Sequence, residues 1–192
     1  MFKQSKSATE EPMVKGVAFR SVFNVAEEIL GSDEFSRILM KMPIEERHML
    51  QYSIVNTGWY RTPLYSFVLR TLRDEAGGGD DEFVKKIGAA SIRRDINGVY
   101  RMIFKIFSPE TVFSVAGRMF TSYYSHGRLE IDAGAGEAKA YYTGCHGFDR
   151  LLWTELLGCG EELIRSAGGK NPKMDIVGGG DGPDCVMRLR WT

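Results

Sequence analysis

The feature that most constrains this fold is an abrupt change in the spacing of apolar residues near residue 127. Before it, Val112, Val115, Ala116, Met119, Phe120, Tyr123 and Tyr124 recur at intervals of three and four, the repeat of a helix with one buried face. Gly127 follows, a residue suited to closing a helix. After it, "RLEID", the turn residues "AGAGE" and "AKAYYTG" read as a hairpin. Near the C-terminus, Cys185, Met187, Leu189 and Trp191 alternate with Val186, Arg188 and Arg190, the period of two expected of a strand with one buried face. Between these segments Phe148, Leu152, Leu156, Cys159 and Leu163 form one more helical face, ended by Gly168 and Gly169 ahead of the strand-like "KMDIV". Helices, hairpin, helix, hairpin is an order that requires an antiparallel sheet with helices packed on it. The fold class is therefore α+β, an N-terminal helical half packed with a twisted antiparallel sheet of two hairpins separated by a helix.

The glycine-rich "GGGDGPDC" at residues 178 to 185 raises the question of a phosphate cradle. A phosphate loop hands the chain to a helix, and often to a lysine, that meets the anion. Here a strand follows and no lysine does, so Gly180, Gly182 and Pro183 read as turn residues closing the second hairpin.

The N-terminal half is helical by the same logic. Phe19, Val22, Phe23, Ala26, Ile29 and Leu30 trace one helix, closed by Gly31. A second starts at Ser32 or Asp33 and runs to Pro43, which opens a third, "PIEERHMLQY". Thr62 is expected as an N-cap with Pro63 as the first helical residue, and Leu64, Phe67, Val68 and Leu72 as the buried stripe. The glycines of "EAGGGDDEF" connect two helices, and "GVYRMIFKIF" is apolar on almost every side, which predicts a central helix ending at Ser108 and Pro109. With 192 residues and 43% hydrophobic content there is material for one substantial core and not for two. Residues 1–13 read as a mobile tail and residues 14–192 as a single domain.

Charge and composition narrow the function. The 25 basic and 25 acidic residues cancel, and no long basic run exists, which disfavours nucleic acid as a partner. No apolar run is long enough to span a bilayer, and the first dozen residues lack the apolar segment of a signal peptide. A cytoplasmic location is expected, and three cysteines, an odd and sparse set, suit reduced thiols.

Chemistry-bearing residues are few. His126 precedes Gly127, where a helix C-terminus favours a cation, and His48 sits beside Glu45 and Glu46 on a solvated face. Cys145 and His146 adjoin in "TGCHGF" just before a helix whose N-terminus could lower a thiol pKa, and Cys159 and Cys185 would complete a zinc set of three sulfurs and one imidazole. Against this, no C-x-x-C pair exists and Cys159 falls on an apolar stripe, so structural cysteines are the preferred reading, with no metal and no cofactor. A thiol- or metal-dependent enzyme using Cys145 and His146 stands as the alternative. The aromatics give apolar walls with polar tips, suited to a pocket for a small apolar ligand or to an interface, and equally to an ordinary core. Trp59, Tyr60, Tyr65, Tyr123, Tyr124 and Trp153 are the candidate ligand-binding or interface residues. Trp59 and Tyr60 lie between two helices and outside either stripe, the position of an exposed anchor in a homodimer.

Several pieces in order, "VKGVAFRSVF", "MPIEERHML", "GWYRTPLY", "IGAASI", "FSPETVFSVAGRMFTSYYSHGRLEI" and "GGGDGPDCVMRLRW", resemble an uncharacterised bacterial family expanded in myxobacteria and other deltaproteobacteria. The C-terminal half is similar to the superfamily of haem nitric-oxide/oxygen-binding domains, 4-vinyl reductase domains and Bet3-type subunits of vesicle-tethering (TRAPP) complexes. That resemblance implies helices packed on a twisted antiparallel sheet, and a ligand sensor or assembly module rather than a stand-alone enzyme. Its haem-binding members carry Tyr-x-Ser-x-Arg with an axial histidine upstream. Here Tyr123 and Ser125 match, but Gly127 takes the arginine place, Arg128 is one residue late, and no histidine lies between Val99 and Tyr124. The zinc set of the 4-vinyl reductase domains retains only Cys185, with Val177 and Met174 in the other two places. The expected function is a non-catalytic cytoplasmic sensor or protein-interaction domain in bacterial signalling or regulation, homodimeric, with a small apolar ligand and a signalling protein as its partners.

Overall fold

The structure, a computed structural model, describes residues 11–97 and 109–192. The chain opens with β1 (Met13–Lys15), α1 (Gly16–Leu30), α2 (Ser32–Lys41) and α3 (Ile44–His48), which runs into a π-helical turn (Met49–Ser53). Next come β2 (Trp59–Arg61), α4 (Thr62–Ala76), α5 (Asp81–Asn97) and α6 (Pro109–Tyr123). The C-terminal half holds β3 (Arg128–Gly134), β4 (Glu137–Thr143), α7 (Arg150–Ser166), β5 (Lys173–Gly179) and β6 (Cys185–Arg190). The α+β class and the two hairpins separated by a helix are as the sequence predicts. The four C-terminal strands form one antiparallel sheet in the order β3-β4-β6-β5, so the two hairpins join through β4 and β6.

The sheet's inner face is set by alternation. Ala138, Ala140 and Tyr142 on β4, and Cys185, Met187 and Leu189 on β6, are buried, while Glu137, Lys139, Tyr141 and Arg190 are exposed. On α6 the stripe is as expected, with Val112, Ala116, Phe120 and, just past the helix end, Tyr124 all buried.

Helix α7 is buried far beyond one stripe: Leu151, Leu152, Trp153, Glu155, Leu156, Gly158, Glu162 and Ile164 are all inside. Asp149 caps it, its carboxylate accepting from the Leu151 and Leu152 amides. Its closest partner is α5, and glycines make that approach. A Cβ on Gly158 would stand 1.9 Å from the Lys85 carbonyl oxygen, and one on Gly88 would stand 2.3 Å from that of Glu155. Only hydrogen fits at either place. Ion pairs flank the crossing, Lys85 to Glu161 at 2.7 Å and Arg93 to Glu162 through two bonds of 2.7 Å.

Some local expectations change. Pro12 and Met13 are tied down: the Thr62 amide donates to the Pro12 carbonyl, and the Met13 amide donates to Ser125 Oγ at 2.8 Å. β1 pairs with β2, so Trp59 and Tyr60 stand in a two-stranded ribbon rather than a bare interhelical link. Thr62 is the first helical residue of α4, buried, with no side-chain cap bond; Arg61 takes the cap position. The buried stripe of α4 runs through Tyr65, Val68, Leu69 and Leu72, with Leu64 and Phe67 less deeply placed. Ile29, counted in the α1 stripe, is 51% exposed. The expected central helix "GVYRMIFKIF" and Ser108 lie outside the described residues.

Candidate ligand cavity

A cavity of about 110 Å³ lies between α5, α6, α7 and the inner face of the sheet, with residues of α1 and α4 also lining it. A single water needs roughly 10–15 Å³ of such space. Most of the wall is apolar: Ile92, Val112, Ala116, Phe120, Leu129, Ala140 and Leu189 all face it. These are the inward positions that the two periodicities select.

One side of the wall is polar. Tyr65 donates its hydroxyl to Glu155 Oε1 at 2.5 Å. Asp95 accepts from Ser21 at Oδ1 and from Tyr123 at Oδ2, each at 2.6 Å. Glu155 is 3% exposed, and burial pushes its carboxyl up to about 7, the Tyr65 hydrogen bond opposing and the Asp95 charge assisting. Burial also raises Asp95 above the ordinary carboxylate value, against its bonds to Ser21 and Tyr123 and the nearby Arg94 charge. Two buried side-chain atoms of residues in this wall, Glu155 Oε2 and Ser91 Oγ, have no hydrogen-bond partner among the described residues.

The sequence candidates divide. Tyr65, Tyr123 and Tyr124 line this cavity. Trp153 does not: it is fully buried in the core, its ring 4.7 Å from Phe148 and 5.5 Å from Tyr142. Trp59 is 37% exposed, with Lys15 Nζ 4.5 Å from its ring centre. Tyr60 packs its edge on Phe19, donates its hydroxyl to the Ser53 carbonyl and accepts from the Val55 amide. The six aromatics therefore belong to three different places.

Cys145 and His146 do not form a thiol site. Cys145 is buried, and that burial pushes its thiol up to about 12, the reverse of helix-terminus activation, because Asp149 and not the cysteine occupies the cap. His146 points outward, its ring 6.3 Å from that of His126. Burial raises Cys185 to about 11, and Cys159 sits in the cavity wall with Sγ 3.3 Å from the Gly88 carbonyl. Among the described residues no group of three or more His, Cys, Asp or Glu is placed to hold a metal ion. "GGGDGPDC" is the β5–β6 turn, and one of its two acids is used structurally: Asp184 accepts from the Gly144 amide, while the Cys145 amide donates to the Pro183 carbonyl.

No protein-family model matches the sequence, and no curated protein matches it. Solved structures do. An oxygen-binding H-NOX domain related to soluble guanylate cyclases superposes with a TM-score of 0.71 at 12% identity, over 93% of this chain and 95% of that one. The fold is that of the H-NOX domains. The unliganded Fe(II) form of an H-NOX mutant from K. algicida gives 0.66 at 14% identity, over 93% and 96% of the two chains. A point mutant of the T. tengcongensis H-NOX gives 0.68 at 12%, over 93% and 97%.

The cofactor that H-NOX structures imply does not fit these residues. None of the chain's three histidines lines the cavity, and two carboxylates face it where haem propionates would need cations. Tyr123 is bonded to Asp95, Ser125 Oγ holds the Met13 amide and contacts His126 Nδ1, and Arg128 is an exposed residue paired with Glu130.

Glu155, Asp95 and Ser91 are the site residues that sequence reasoning missed. A signal existed. Glu155 falls three residues after Leu152 and four before Cys159, on the α7 stripe itself, and Asp95 follows Ile92 by three on α5. An acid at an apolar-stripe position is a buried acid in waiting.

Proposed function

We propose that this chain is a non-catalytic sensor or protein-interaction module of bacterial signalling, working in the cytoplasm, whose signal is a small apolar ligand held in the cavity. The observation that carries the reading is the cavity itself, walled by apolar side chains of three helices and the sheet and centred in a fold whose solved examples include an oxygen-binding domain. An occupant touching both the helices and the sheet can bias how the two pack on each other, which is how binding would become a signal. Homodimerisation through the Trp59 ribbon belongs to this reading, supported by a run of exposed apolar side chains nearby, Ile44, Met49, Tyr52 and Val55. The resemblance to the myxobacterial family, the 4-vinyl reductase domains and the TRAPP subunits fits the same role. The enzyme alternative has little support, given a buried thiol and an outward-facing imidazole.

Toluene tests it. At a hundred times its Kd a ligand stabilises by about 2.7 kcal/mol, several degrees of Tm in a domain of this size. Ala116→Leu, which fills the cavity, is expected to abolish the shift. No shift in the wild-type protein, or one that the filled variant retains, overturns the reading.

A further inference from the structure

The polar side of the cavity specifies its ligand more narrowly. Glu155 and Ser91 stand on α7 and α5, the two helices held together at Gly88 and Gly158, so the backbone beneath them has little freedom to move. The Tyr65 hydroxyl fixes Glu155 by its Oε1, which leaves Oε2 buried and without a partner. Ser91 is 6% exposed, and its Oγ is equally without a partner among the described residues. Leaving a buried polar atom unpaired is costly, and more so for a charged one. A carboxylate and a hydroxyl in that condition, on the wall of an otherwise apolar cavity, call for a hydrogen-bond donor from the occupant. Asp95 is the weaker candidate, because Ser21 and Tyr123 each already engage one of its oxygens, whereas Glu155 Oε2 has none. No lysine or arginine faces the cavity among the described residues, while two carboxylates do, so an anionic head would meet repulsion and desolvation together.

We propose that the cavity takes a small apolar molecule with one hydrogen-bond-donating head, an amine or hydroxyl, which Glu155 Oε2 and Ser91 Oγ receive. This rests on the cavity being a ligand site at all, and the experiment separates the two ideas. Toluene, benzyl alcohol, benzylamine and benzoate share one ring and differ in the head. Titration calorimetry at pH ~8, where Glu155 is ionised, should find the alcohol or the amine about tenfold tighter than toluene, and benzoate the weakest. Glu155→Gln, which can set an amide N–H where Oε2 stands, should erase the preference for the amine over toluene; Ser91→Ala should reduce the preference for both donors. If toluene binds as tightly as both donors in the wild-type protein, the donor-head proposal is overturned and the apolar cavity stands. If no probe binds, both fall.

Discussion

Replacing Glu155 with glutamine should stabilise this protein, and by an amount that depends on pH. The carboxyl moves from an ordinary 4.5 in the unfolded chain to about 7 in the fold. Well below pH 4.5 both states hold the proton and no charge is buried. As pH rises from there to about 7 the unfolded chain ionises while the folded one keeps its proton, so folding stability falls. Above about 7 both are ionised and the loss is complete. At about 1.4 kcal/mol for each tenfold in the ionisation constant, the full penalty is on the order of 3 kcal/mol. Glutamine keeps an acceptor for the Tyr65 hydroxyl and removes the charge. Relative to the wild type, Glu155→Gln should therefore be about 2.5 kcal/mol more stabilised near pH ~8 than near pH ~5, the buried amide N–H costing the same at both. The groups facing Glu155 do not blur this: burial raises Tyr65, Tyr124 and Cys159 well above their ordinary values, so they stay neutral across the range. Asp95 adds to the Glu155 shift, so Asp95→Asn should lower the Glu155 carboxyl and shrink the stability that the wild-type protein loses as pH rises. Urea unfolding of both proteins at the two pH values measures the difference. Equal gains at the acidic and the alkaline pH, or none, would refute a buried carboxyl that ionises near neutrality.

At the α5–α7 crossing, Gly158→Ala should cost about 3 kcal/mol despite alanine's better helix propensity, because the new methyl meets backbone at Lys85; a urea midpoint within experimental error of wild type refutes the close approach. With a thiol reagent at mildly alkaline pH, Cys145 and Cys185 in the native protein should react far more slowly than in denaturant, where all three cysteines label; fast native labelling of Cys145 would revive the thiol-enzyme reading. Protein expressed with haem supplied should show no stoichiometric Soret band, and a band abolished by replacing His126 or His146 would contradict the cavity chemistry. Trp59→Glu should convert a homodimer to a folded monomer by light scattering and circular dichroism; a wild-type protein already monomeric at tens of micromolar removes the ribbon as an interface.

The sheet was legible because its strands alternate cleanly: Ala138, Ala140 and Tyr142 against Glu137, Lys139 and Tyr141 leave one register and one inner face. The α6 stripe was legible for the same reason, as was the hairpin reading of "GGGDGPDC". What one strand's pattern does not contain is its neighbour across the sheet, so the joining of β4 to β6 emerged only from the assembled fold. β1 and β2, three residues each, are too short to show a period. Three of the six nominated aromatics reach the cavity, and aromatic character alone could not separate them from Trp153, because a wall and a core ask for the same side chain. The polar groups were hidden for another reason. Charge on a helix is usually read as its wet face, and Glu155 and Glu162 both sit on a helix whose surroundings reach almost all the way round.

The contact between β1 and the segment after α6 has a kinetic meaning. Met13 and Ser125 are 112 positions apart, whereas the outermost pair of the first hairpin, Arg128 and Thr143, closes a far shorter loop. On the logarithmic cost of loop closure the difference is about 2 kcal/mol. The ribbon should then dock after the hairpins have formed and let go before them, with the Met13 and Ser125 amides exchanging with solvent sooner than those of β4 and β6. Val14 bridges to Tyr124, and Tyr124 is part of the cavity wall. Lifting of the first strand would therefore loosen the cavity wall at Tyr124 before the sheet itself opens.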